Sequence, residues 1–81
     1  MRTFYFDIKD GIRIRDRKGL PFPFAGAAIE HSKELARRLR ADGRLNDPDL
    51  TVVVLDQSGT EIHSEPVYPD GSGGSDADQA N

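Results

Sequence analysis

His31, Ser32, His63 and a scatter of carboxylates are the side chains in this sequence nearest to catalytic chemistry. A general base needs an orienting partner and a reacting group within reach. His31 falls in a helical pattern and His63 in a strand pattern, each without a carboxylate at a diagnostic spacing, so both read as surface or boundary residues. Ser32 lies in an apolar helical stripe with no nucleophile elbow around it and reads as a small packing residue. No two carboxylates share a context that would push their pKa values apart. Gly71, Gly73 and Gly74 neither follow a strand nor open a helix, so they are no phosphate cradle. Asp70, Asp76 and Asp78 lie among glycines, yet their spacing fits neither an EF-hand loop nor a glycine-rich calcium nonapeptide. The chain has no cysteine, which removes thiolate metal sites, cysteine nucleophiles and disulfide staples. The expectation is therefore a protein that is not an enzyme, with no catalytic residue, cofactor, metal or small-molecule substrate.

One constellation survives as a binding surface: Tyr5, Arg13, Arg15, Arg17 and Lys18. Arginines alternating along a β-ribbon beside an aromatic residue could follow a phosphate backbone, with Tyr5 stacking on a base. Asp7, Asp10 and Asp16 stand among them, and the sequence pI is about 5.2. Basic residues on a solvent face also guard a sheet against edge aggregation.

The elements that must carry these residues are legible. Phe4, Phe6 and Ile8 alternate with Tyr5 and Asp7 at period two, and Ile12 and Ile14 continue that apolar face. A two-residue turn at Asp10-Gly11 would set apolar against polar partners. A three-residue loop, Lys9-Asp10-Gly11, sets Ile8 opposite Ile12, Phe6 opposite Ile14 and Phe4 opposite Asp16. On the outer face it sets Asp7 against Arg13 and Tyr5 against Arg15. Lys18-Gly19 closes the strand, and the prolines keep Leu20–Phe24 extended. A helix is predicted from Phe24 or Ala25 to about Ala41, with Ala28, Ile29, Ser32, Leu35, Ala36 and Leu39 on its apolar stripe. It has no N-terminal cap residue, and Gly43 is its stop. After a turn at Asn46-Asp47-Pro48, Thr51–Leu55 is a strand. The Asp56–Gly59 loop then sets Asp56 opposite Thr60, Val54 opposite Ile62 and Val52 opposite Ser64. Val53 and Leu55 fall on the second face, which marks an interior strand or one covered by a partner. The fold class is α+β in ββαββ order, two hairpins forming an antiparallel sheet packed on one face by a single helix.

With 81 residues there is room for one domain, assigned to residues 1–68, and residues 69–81 read as a disordered acidic Gly/Ser/Asp tail. The net charge of -3 is uneven. Residues 1–40 hold ten basic and five acidic residues, and residues 41–81 hold one and nine. The halves can neutralise each other in the fold or in a dimer, or form a basic binding face beside an acidic tail. A core this small sits near the lower limit for independent folding, which favours association. Without disulfides or an apolar run that could act as a leader or span a membrane, the expected compartment is the cytoplasm.

The opening Phe4-Tyr5-Phe6-Asp7-Ile8-Lys9-Asp10-Gly11, the Asp16–Gly19 turn, the Ala-rich helix, and Val52–Asp56 with Gly59 and Pro66 follow in one order. That order resembles a family of short uncharacterised bacterial proteins, which open on an aromatic-Phe-Asp/His strand and close on a Val-x-Asp-x-x-Gly hairpin and a proline. The likeness spans roughly residues 1–68. It implies the fold and no site, because the shared motifs are those of turns and strands. Phe24-Ala25-Gly26 departs from the acidic helix start usual in that family. The hairpin before a helix is also similar to HicB-type antitoxins, the partners of small RNA-cleaving toxins, although their Pro-x-x-Pro-Gly-Cys stretch is missing. The expected function is a small non-enzymatic interaction module, acting as a homodimer or with a protein partner. The alternative is nucleic-acid binding through the arginine face.

Overall fold

Alternation of Phe4, Phe6 and Ile8 with smaller or polar neighbours produces β1 (Arg2–Lys9) in the computed structural model, which describes residues 1–43 and 47–69. The strands that follow are β2 (Arg13–Ile14) and β3 (Leu20–Phe22), then helix α1 (Ala25–Asp42), β4 (Thr51–Leu55) and β5 (Glu61–Pro66). The sheet is antiparallel in the order β2-β1-β4-β5, with β3 pairing β1 over Arg2–Phe4. This is the expected α+β arrangement, one helix on a sheet of hairpins, except that the strand after the first turn is split in two.

The helix starts at Ala25 with Phe24 as an N-cap that offers no side-chain bond, as its sequence implies. Gly43 closes it, its N–H donating to the Leu39 carbonyl at 3.2 Å. Ala28, Ser32 and Ala36 are buried, and these small residues let the helix axis come close to the sheet. Phe4, Phe6, Leu50, Val52, Val54 and Val67 fill the space between, with Ile8, Phe22, Leu35 and Leu39 packed at the margin. Full burial of each large apolar side chain contributes roughly 1.5–3 kcal/mol. Helix α1 lies against β4, β5, β1 and β3 but makes no contact with β2. No helix among the described residues is long and apolar enough to cross a membrane.

The register of the first hairpin differs from the expected one. Ile8 opposes Ile14 and Lys9 opposes Arg13, so the three-residue turn is Asp10-Gly11-Ile12. Ile12 stands in the turn and Ile14 on the rim, 77% and 56% exposed, and the helix covers neither as expected. A slip of two residues keeps every side chain on its face. Hydrophobic alternation therefore cannot tell Ile12 from Ile14 as the partner of Ile8. Arg15 and Arg17 also leave the strand, since β2 ends at Ile14, and Phe4 opposes Leu20 instead of Asp16.

In the second hairpin the Gln57-Ser58-Gly59 turn forms as expected, with the Asp56 N–H donating to the Thr60 carbonyl at 2.9 Å. Leu55 opposes Glu61, and then an irregularity shifts the ladder by one. Val54 meets His63 and Val52 meets Glu65, instead of Ile62 and Ser64. A bulge inserts one unpaired residue without altering composition, so the pattern carries no sign of it. Strand β4 is interior, as two apolar faces require. The turn at Asp47-Pro48 is held by the Leu50 N–H on the Asp47 carbonyl at 3.0 Å. Asn46 and the expected tail beyond Pro69 lie outside the described residues.

Candidate interaction surface

The split between β2 and β3 is the work of two aspartates. Asp7 points away from the helix and is only 4% exposed. Its Oδ2 accepts from Arg13 Nε at 2.9 Å, and its Oδ1 accepts from the Asp16 N–H at 2.9 Å. Asp16 then turns its carboxylate back on the strand edge. Oδ2 takes the Phe6 N–H at 3.1 Å, and Oδ1 takes those of Lys18 and Gly19 at 3.0 and 3.1 Å. Phe6 is the middle one of the three β1 residues, Tyr5, Phe6 and Asp7, that fall between the reaches of β2 and β3. The Asp16 side chain stands in for the missing strand there, so no buried amide is orphaned.

Partial burial pushes the Asp16 carboxyl upward, but the Gly19, Phe6 and Lys18 amides and the Lys18 charge together hold it below its ordinary value. A carboxylate with a lowered folded-state pKa stabilises the fold above its unfolded value of roughly 3.9, and that contribution is lost as pH falls through the folded value. Acid unfolding followed by circular dichroism should therefore begin below about pH 4. Asp16→Asn, which no longer titrates, should be less stable at pH 7 by about 2 kcal/mol and should show a flatter decline. Equal acid sensitivity in both proteins would contradict this role.

Of the five residues expected to form a binding face, two are already engaged. The Tyr5 ring packs against Gly19, where a β-carbon would lie 3.0 Å from Cε2. Arg13 is ion-paired with Asp7, as the expected outer-face pairing of the two requires. Arg15, Arg17 and Lys18 are exposed on the loop between β2 and β3. Arg15 and Tyr5 share a shallow concavity of about 150 Å³ with Leu55 and Gly59. A broader one of about 370 Å³ sets Lys9 and Arg13 against Asp47, Asp49 and Glu61, so its charge is mixed. Val53 lines it yet is only 3% exposed. The chain's own side chains cover Val53 on this face.

The helix side at β2 is different. Ile14 shares a face with Ile8 because the two are directly opposed. The helix does not reach that strand. Ile8 packs on the edge of the core, while Ile12 and Ile14 extend into solvent. Tight turns favour Gly, Pro, Asn, Asp and Ser, each for a backbone reason. No such reason exists for Ile12.

The histidines occupy unlike places. His31 is half-buried, its ring 5.0 Å from that of Phe6 and 5.3 Å from that of Phe22. His63 Nε2 lies 2.8 Å from Glu65 Oε1, a carboxylate partner that the sequence reading did not assign. Spacing two along a strand puts both on one face, which was the available signal. None of the hydrogen bonds among the described residues links this pair to a Ser, Thr or Lys side chain. No three His, Asp or Glu side chains converge among the described residues as a metal site requires. Asp56 has a turn-building role, its Oδ1 accepting from Ser58 Oγ, Ser58 N–H and Thr60 N–H. The Ser58 hydroxyl and those amides hold its carboxyl below the ordinary value.

Residues 3–68 match a protein family described as a domain of unknown function, DUF6894. No curated protein and no solved structure matches the chain.

Proposed function

The chain belongs to the DUF6894 family, whose description assigns no activity, and we propose from its geometry that it is a non-enzymatic protein-interaction module that docks through the β1–β2 corner. The observation that carries this reading is the missing cover over β2. Helix α1 touches every other strand, and Ile12 and Ile14 stand exposed beside Ile8 where it stops. Single exposed apolar residues are ordinary, but three isoleucines grouped at an uncovered rim mark a contact surface.

Lys9 and Arg13 lie on the opposite sheet face, with Asp47, Asp49 and Glu61, so the contact at this corner is apolar and is open to another protein or to a second copy of the chain. A nucleic-acid surface is less well supported, because Tyr5 and Arg13 are held by Gly19 and Asp7 and isoleucines offer nothing to phosphate.

The test is quantitative affinity capture from the cells that make the protein, comparing the wild type with Ile12→Asp/Ile14→Asp. Exposed substitutions of this kind should change stability by about 0.5 kcal/mol or less, which thermal unfolding will verify. The double variant should lose at least tenfold of a specific bound protein. Retention of every captured protein by the folded variant would sink the reading, as would a wild-type dimer that the variant leaves intact in sedimentation.

A further inference from the structure

An aspartate followed by a glycine occurs three times in the sequence, at residues 10–11, 42–43 and 70–71, and the first two pairs lie among the described residues. Such a pair is chemically labile wherever the glycine nitrogen can reach the carboxyl carbon of the aspartate, because glycine has no side chain to hinder the approach. The fold decides which pair is free to react.

At residue 43 the nitrogen is held. The Gly43 N–H donates to the Leu39 carbonyl at 3.2 Å and closes helix α1, so ring closure on Asp42 first requires the last turn to open. Residue 11 is the reverse case. No hydrogen bond among the described residues engages the Gly11 N–H. Gly11 is exposed, and nothing lies within 4 Å of the place a β-carbon would take, so water has open access to the turn. Asp10 Oδ1 accepts from the Ile12 N–H at 3.4 Å, which folds the carboxyl group back across the Gly11 peptide. At that length the bond is weak and lets the side chain turn.

We infer that Asp10 is a site of spontaneous backbone modification, where aspartate converts to isoaspartate through a cyclic succinimide. The Gly11 nitrogen bonds to Asp10 Cγ, and the hydroxyl of the un-ionised carboxyl leaves with the amide proton as water. Water then adds back at one of the two ring carbonyls. Opening at Cγ restores aspartate. Opening at the main-chain carbonyl leaves Gly11 joined to Cγ and turns that carbonyl into a free carboxylate. The charge is kept, but the backbone gains one carbon inside the turn. The bond from the Asp10 N–H to the Ile12 carbonyl and the pairing of Lys9 with Arg13 and Ile8 with Ile14 cannot all survive that insertion.

Incubation of the full chain at neutral pH and physiological temperature, native and in urea, tests this. Peptide mapping with a protease that cleaves before aspartate but not isoaspartate reads each position. In the native chain isoaspartate should accumulate several-fold faster at Asp10 than at Asp42. In urea the two rates should converge, because the protection at Gly43 is gone. Asp10→Glu should abolish conversion at residue 10, since the longer side chain closes its ring far more slowly. Aged wild type should also accept more methyl groups than aged Asp10→Glu from S-adenosylmethionine and an isoaspartyl methyltransferase.

Equal native rates at Asp10 and Asp42 overturn the inference. So does a native Asp10 that stays intact while the chain in urea converts. A difference that persists unchanged in urea overturns it as well, since the fold is then not its cause.

Discussion

Gly19→Ala should lower the unfolding free energy by roughly 3 kcal/mol, enough to populate the unfolded state of so small a domain at room temperature. Gly19 has φ of +71°, and a β-carbon there would lie 2.6 Å from Thr3 Cγ2 and 2.9 Å from the Phe4 carbonyl oxygen. The side-chain contact can yield by rotation, but the carbonyl belongs to the β1 backbone and cannot move without disturbing β3. The Asp16 carboxylate holds the Gly19 amide in place from the other side. Gly11 is the control. Its φ is +98°, but nothing lies within 4 Å of its would-be β-carbon. Gly11→Ala should then cost only the left-handed backbone penalty, about 1 kcal/mol. Urea unfolding of the two variants measures the difference, and equal losses would mean that the loop is not packed against β1 as described.

Phe4→Ala should be worse still, with a loss of about 3–5 kcal/mol. Phe4 is 1% exposed and its ring lies 6.3 Å from that of Phe22, which in turn meets Phe6 and His31. Removal of the ring leaves a cavity at the point where β1, β3 and the first turns of α1 converge. Loss of the near-ultraviolet aromatic signal and of cooperative melting would report it. A cooperative melt within a few degrees of the wild type would place the core elsewhere.

These two positions also show how far the sequence could be read. Alternation alone puts Phe4 on the core face, and period and chemistry likewise give the α1 stripe and its Gly43 stop. The same pattern marks Gly19 only as the end of a strand. Its packing depends on Asp16 bonding the Phe6 amide ten residues away. Periodicity carries no information about a carboxylate that replaces a strand. The same limit governs the binding surface. Asp7 and Arg13 were set opposite each other and do pair, because both stay on the outer face under a two-residue slip. That slip nonetheless carried Ile12 from the expected core to the turn. The most exposed apolar residue of the hairpin is thus one that alternation assigns to its core. The residues behind the family resemblance have structural work to do: Asp7 and Asp16 shape the first loop, Asp56 and Gly59 the second.

The β1–β2 corner, and not the outer sheet face, should meet the protein partner. Photocrosslinking inside the producing cell tests it most directly, with a photoreactive amino acid placed once at Ile14 and once at Glu61 on the outer face. A discrete protein adduct should form from position 14 and disappear when Ile12 is changed to Asp, and none should form from position 61. An adduct from position 61 alone, or adducts at both positions with equal yield, would contradict it.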